Sequence, residues 1–233
     1  METVVEFVSK GTGKSDGTKP GVAYTSDLLE QRPDRVAICG LYISADHFSL
    51  VLVDAAKACH TTLPWDDETA RKLLFRVLSY INDPPASMID PTITLGPKGD
   101  TFTIKHGDQE YKEYTLKSCG HPIGRRTVVF QCKDPNADVP VIKEQYVHYP
   151  LVDDILEKTI LDHVHKSEEM PGVVRVSWCG WVKRPDGSSV ECGMGDRKRQ
   201  KVRFLLKDKG TPFMEIATPY DALVAAWDAL EGK

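Results

Sequence analysis

An α+β fold, made of antiparallel strands with helices, is predicted by three features of the sequence. Apolar, β-branched runs follow one another across tight polar turns, as at residues 35–43 and 47–53. Residues 67–81 and 151–165 instead carry their apolar side chains at helical spacing. A Gly/Pro cluster between Gly120 and Gly124 divides two further strands and marks a hairpin.

From the start of the chain, residues 1–21 are expected to be a flexible tail, because Gly, Ser and Lys dominate residues 9–21. Gly11-Thr12-Gly13-Lys14-Ser15 ends like a phosphate loop. That motif needs a glycine where Val8 stands, however, and a helix where more Gly and Pro follow. A short helix is expected over residues 22–31, then strands over 35–43, 47–53 and 57–63, with a turn at Ser44-Ala45-Asp46. Asp66 or Asp67 caps a helix running to Ile81, with Leu73, Leu74, Val77, Leu78 and Ile81 on one face. Asn82-Asp83-Pro84-Pro85 stops it. Residues 101–105 and 110–115 form a hairpin through His106-Gly107-Asp108, and its second arm runs into the glycine turn.

The stretch from Leu116 to Leu161 organises the rest. It reads as strand, glycine turn, strand, a short apolar strand Val139-Pro140-Val141-Ile142-Lys143, and then a long helix. Lys143 ends that strand as its only cation, and Glu157 lies fourteen residues later on the helix. A glycine turn lets backbone approach a polyphosphate, and a lysine on the adjacent strand can bind two phosphates if a carboxylate holds it. The other reading of the same spacing is an exposed strand end and a solvated helix residue.

The turn Gly124-Arg125-Arg126-Thr127-Val128-Val129 and the lysine-bearing strand resemble those of the fungal-type protein kinase family. The resemblance runs back through Ser26-Asp27-Leu28-Leu29-Glu30-Gln31-Arg32-Pro33-Asp34-Arg35 and Asp90-Pro91-Thr92-Ile93. It runs forward through Arg203-Phe204-Leu205-Leu206 to Gly210-Thr211-Pro212-Phe213, covering roughly residues 22 to 232. It implies a family-specific α+β region over residues 22–115. Residues 116–233 would then hold a protein-kinase-like N-lobe, a five-stranded sheet plus one long helix, with a hinge at Lys207-Asp208-Lys209-Gly210 and a following helix. The two parts are expected to pack together, since no long linker separates them. ATP is the cofactor implied, and Gly124, Arg125, Thr127, Val129, Lys143 and Glu157 are the residues implied to hold it.

Two departures weaken the match. Arg126 or Thr127 stands where the third glycine of a kinase turn belongs. The stretch up to Lys233 also contains no catalytic-loop aspartate, no magnesium-binding asparagine and no DFG aspartate. The expectation is therefore a catalytically incomplete, pseudokinase-like binding or regulatory module with weak or no ATP binding and no phosphate transfer. The alternatives are a truncated chain of an active ATP-dependent Ser/Thr kinase, and a protein-interaction module with no nucleotide.

The composition is that of ordinary globular chains, 41% hydrophobic and 27% charged, and the net charge of −4 gives no overall drive toward nucleic acid or acidic membranes. Six cysteines are spread without a CxxC pair, and His47 and His60 lack a ligand pattern around them, so no metal is expected. With no secretory leader and no membrane-length apolar run, an intracellular place, cytoplasmic or nuclear, is expected. On the strand over residues 173–182, Trp178 and Trp181 read as packing residues rather than a ligand-stacking pair. The cluster Arg197-Lys198-Arg199 with Lys201 and Arg203 reads as a solvated loop and strand edge, the other reading being a phosphate or acidic-partner site. Val202 to Leu206 is the next strand. A last helix, capped by Thr218 with Asp221 three residues on, carries an apolar stripe of Leu223, Val224, Trp227 and Leu230. That stripe is the expected surface for a protein partner or self-association.

Overall fold

In the computed structural model, residues 5–7, 18–148, 156–166, 173–210, 216, 218–221 and 223–224 are described. The fold is α+β, with two sheets whose strands are nearly all antiparallel. The first sheet contains β1 (Val5–Phe7), β2 (Ala37–Ile43), β3 (His47–Asp54) and β4 (Ala58–Pro64) in that spatial order. Here β1 runs parallel to β2, which removes residues 5–7 from the expected tail. Helices α1 (Thr18–Gln31) and α2 (Glu68–Asn82) cover its two faces.

The alternation of β2 and β3 decides which helix covers which face. Tyr42, Val51 and Val53 pack with Leu29 of α1, whereas Leu41, Phe48 and Leu50 pack with Ala70 and Leu74 of α2. Asp67 caps α2 by accepting from the amides of Thr69 and Ala70 at 2.7 and 3.1 Å. Within the face expected for α2, Leu74, Val77 and Ile81 lie against the sheet while Leu73 and Leu78 are exposed.

The second sheet has eight strands where five were expected. They are β5 (Ile93–Leu95), β6 (Phe102–His106), β7 (Gln109–Cys119), β8 (Val128–Cys132), β9 (Val141–His148), β10 (Val176–Trp181), β11 (Glu191–Cys192) and β12 (Arg199–Leu206). The order across the sheet is β10-β12-β9-β8-β7-β6-β5, with β11 paired to β12. Of the extra strands, β5 and β6 come from upstream, because β7 passes without interruption from the region before residue 116 into the glycine turn, and β11 comes from the connection between β10 and β12. Helix α3 (Leu156–Val164) follows β9; the expected first turn at residues 151–155 lies outside the described residues.

The sheet rolls until its distant strands meet. Ile93 and Ile104 share one core with Phe130, Ile142 and Leu205. Arg203 of β12 also donates to the Lys105 carbonyl of β6, four strands away across the sheet. Burying each such large apolar side chain contributes on the order of 2 kcal/mol.

Lys143 does not end its strand, as expected, but is the third residue of β9, which continues to His148. The continuation is polar yet buried, because its partners are supplied from β12. Glu144 meets Lys201 and Arg203, which are 2% and 1% exposed, so the expected solvated basic edge is overturned for these two residues. Among the described residues, no helix is long and apolar enough to cross a membrane.

Candidate functional site

Lys143 and Glu157 are brought together as the spacing suggests. On β9, Lys143 pairs in register with Val129 of β8 and Phe204 of β12, so the three side chains share a face. The Lys143 ammonium lies 2.5 Å from Glu157 Oε1 and 5.3 Å from the centre of the Phe204 ring. Gln145, two residues along the same face, donates to Glu157 Oε2 at 3.0 Å. The carboxylate of α3 is thus forked between two side chains of one strand. Reading the strand as ending at Lys143 hid Gln145, although the period-2 spacing Lys143-x-Gln145 was the signal for it.

Half-buried at 26% and 35% exposure, this pair is open enough for the ammonium to offer its remaining N–H groups to an anion. Val129 lines the same face. The residues of the glycine turn, in contrast, are drawn elsewhere. Gly124 adopts φ of 109°, which a side chain rarely tolerates, and donates its N–H to the Ala55 carbonyl at 2.7 Å. The amide that would point at a phosphate is used to fasten the turn to the β3–β4 connection. Ile123 packs into the core between α1 and the first sheet.

Arg126, which stands near the place of a kinase turn's third glycine, is 2% exposed. Its guanidinium donates to the carbonyls of Leu29, Arg32 and Arg35, at 2.6, 3.0 and 2.7 Å, around the end of α1. It also holds φ of 41°, left-handed for a residue other than glycine, a conformation that costs about 1–2 kcal/mol and persists because these bonds fix it. Arg125 is exposed and its carbonyl accepts from Tyr146 N at 2.7 Å, while the Thr127 carbonyl accepts from Gly120 N at 2.7 Å.

The buried charges form a separate network. Lys201 Nζ lies 2.7 Å from both Asp90 Oδ2 and Glu144 Oε2; the latter contact is an ion pair without hydrogen-bond alignment. Arg203 reaches Glu144 Oε1 at 2.5 Å and Thr92 Oγ1 at 2.7 Å, and Thr92 donates to Asp90. Burial alone would push the Asp90 carboxyl up, but the charges of Lys201 and Arg203 outweigh it and hold it below the ordinary carboxylate range. Burial would likewise lower Lys201, yet Asp90 and Glu144 raise it above the usual lysine value. Two cations and two carboxylates balance here, closed to solvent, and so the network is structural.

Burial pushes the thiols of Cys39, Cys179 and Cys192 up, to about 11, about 12 and about 12, away from the thiolate state a nucleophile needs. Among the described residues, no group of three or more His, Cys, Asp or Glu side chains is placed to hold a metal ion. Comparison with protein-family models, with curated proteins and with solved structures gave no match.

Proposed function

We propose that the chain is a protein-kinase-like binding or regulatory module, related to the fungal-type protein kinases, that works by binding rather than by transferring phosphate. The Lys143–Glu157 pair carries this reading. In protein kinases a strand lysine, held by a glutamate of the following helix, pairs the nucleotide phosphates. A strand lysine bonded at 2.5 Å to a glutamate of the next helix is the same pairing of roles. Strand order supports it as well: β7, β8, β9, β12 and β10 are successive neighbours, with α3 between β9 and β10 along the chain. These five strands are part of the eight-stranded sheet, and one helix follows the lysine strand. The module is proposed to act inside the cell, in the cytoplasm or nucleus.

ATP is proposed to bind weakly. Gly124 has given its amide to Ala55 and Arg126 its guanidinium to α1, which leaves Lys143 as the principal phosphate contact. Millimolar affinity follows, on the order of −4 kcal/mol. The same two contacts favour a second reading, a protein-interaction module with no nucleotide, for which the exposed Leu223 and Val224 of the expected stripe supply an apolar docking or self-association surface, Trp227 and Leu230 lying outside the described residues.

Calorimetric titration with ATP and magnesium tests the proposal. Weak binding lost in Lys143→Ala supports the kinase-like module, and no binding at all favours the interaction module. A micromolar dissociation constant that vanishes in Lys143→Ala would overturn the weak-binding account. Labelled phosphate incorporation exceeding that of a Lys143→Met control would instead overturn the reading that the chain transfers no phosphate.

A further inference from the structure

A second cleft, of ≈ 580 Å³, opens where the rolled sheet brings the β6–β7 turn against β10 and the loop after it. It lies on the face opposite Lys143. Successive residues of β12 alternate sides, and Phe204 pairs with Lys143 while Arg203, which lines the cleft, pairs with Gly180.

One wall is aromatic. The His106 imidazole and the Trp178 indole lie with ring centres 3.8 Å apart and planes tilted by 39°, and both are half-buried. Gly180 makes room for this wall, since a Cβ there would sit 2.5 Å from the Trp178 ring. Glycine at that position serves the indole, because its backbone is not among those with positive φ. Burial, with Arg203 nearby, lowers the His106 pKa, so the imidazole is uncharged at neutral pH.

The rim is cationic. Lys183 is bonded only to the Ser189 hydroxyl at 2.9 Å, and Arg184 only to the carbonyls of Ala86 and Ser87 at 2.7 and 3.4 Å. Among the described residues neither has a carboxylate in salt-bridge contact. Lys105 also lines the cleft but is engaged with Glu110 at 3.0 Å, and Asp108 is the acidic residue of the lining. A chain of net charge −4 thus places two cations without a salt bridge beside the aromatic wall, although Asp186, held below the ordinary carboxylate range chiefly by its Ser188 hydrogen bonds, also feels the Arg184 charge.

We infer that this cleft binds a small planar aromatic anion, the ring against Trp178 and His106 and the anionic group, a phosphate monoester, at Lys183 and Arg184. Guanidinium and ammonium groups not held in a salt bridge suit a dianionic phosphate, and stacking on indole suits a phenyl ring or a nucleobase. The site is independent of the Lys143 pair.

Intrinsic tryptophan fluorescence, titrated in parallel with phenyl phosphate, adenosine monophosphate and inorganic phosphate, tests it. Saturable quenching by either aromatic ester is expected below about 10 mM, with inorganic phosphate far weaker, and the stronger of the two esters tells phenyl from nucleobase. Quenching should fall sharply in Trp178→Phe, Trp181 being the other indole of the lining, and binding should weaken at least about fivefold in the double variant Lys183→Ala/Arg184→Ala. Both lie on exposed or half-exposed positions, and circular dichroism checks that the variants fold. Lys143→Ala should bind as the parent does. No saturable response to either ester, equal binding by inorganic phosphate, unchanged affinity in the double variant, or loss of binding in Lys143→Ala would each overturn the assignment.

Discussion

Arg126 Nη2 donates to the Leu29 carbonyl at 2.6 Å, tying the turn between β7 and β8 to the last turn of α1. A helix end leaves carbonyls without intrahelical partners, and a buried guanidinium that satisfies Leu29, Arg32 and Arg35 together serves as a cap supplied from a distant part of the chain. The contact also explains why the glycine turn faces the first sheet rather than open solvent. Replacing Arg126 with Met removes three charge-assisted bonds and takes this partner from the Leu29 and Arg35 carbonyls, while the Arg32 carbonyl keeps the Arg35 amide at 2.9 Å. A loss of about 3–5 kcal/mol is expected. Urea unfolding measures it, and a loss below about 1 kcal/mol would mean the clasp contributes little.

Lys143 and Glu157 should behave in the opposite way. The pair is about a third exposed, so solvent screens it, and Glu157→Gln is expected to cost less than about 1 kcal/mol. Its effect belongs to ligand binding. If Glu157→Gln lowers the thermal midpoint as far as Arg126→Met does, the pair is a structural tie and the binding role assigned to it fails.

The contrast between these two sites marks what was legible in the sequence. Lys143 was visible as the only cation of an otherwise apolar run, and Glu157 as a carboxylate fourteen residues on in the following helix. The capped helix α2 and the strands β2 to β4 were visible for a similar reason: turn residues and apolar periods mark their ends. Lys201 and Arg203 were misread because a run of Arg and Lys looks solvated, and the carboxylates that neutralise them, Asp90 and Glu144, lie 111 and 59 residues away. The same long-range pairing concealed the length of β9, since Glu144 and Gln145 break the apolar pattern that would have extended it. Arg126 hid in the motif itself. Nothing local distinguishes an arginine that meets phosphate from one that meets three carbonyls.

Gly180 offers a local test of packing. An alanine Cβ there would fall 2.5 Å from the Trp178 ring, well inside van der Waals contact, so the indole must shift from its place beside His106. Gly180→Ala is expected to cost about 1–3 kcal/mol through overpacking. It should also change the near-ultraviolet circular dichroism of the tryptophans. A variant with the parent's spectrum and stability would show that the indole is not confined against Gly180.

The buried network makes its own prediction about pH, from the directions of two shifts. Asp90 is held below its ordinary value, so its contribution is fully present above an unfolded value near 3.9 and is lost as pH falls through the folded one. Lys201 is held above its ordinary value; its contribution is fully present below an unfolded value near 10.4 and is lost as pH rises through the folded one. Stability carried by these four charges should therefore fall off below about pH 4 and above about pH 10, with no loss from this source between. Lys201→Met removes the cation that both carboxylates share and should cost about 3–5 kcal/mol at neutral pH, because it leaves buried negative charge uncompensated. It should flatten both limbs as well, since Asp90 then loses its nearest cation and the titrating ammonium is gone. Unfolding free energies from urea titrations across pH 3 to 11 in roughly unit steps read all of this directly. If the parent and Lys201→Met traced parallel curves at both ends, the pH limits would have to come from groups outside the network, and the pairing of Lys201 with Asp90 would not be what sets them.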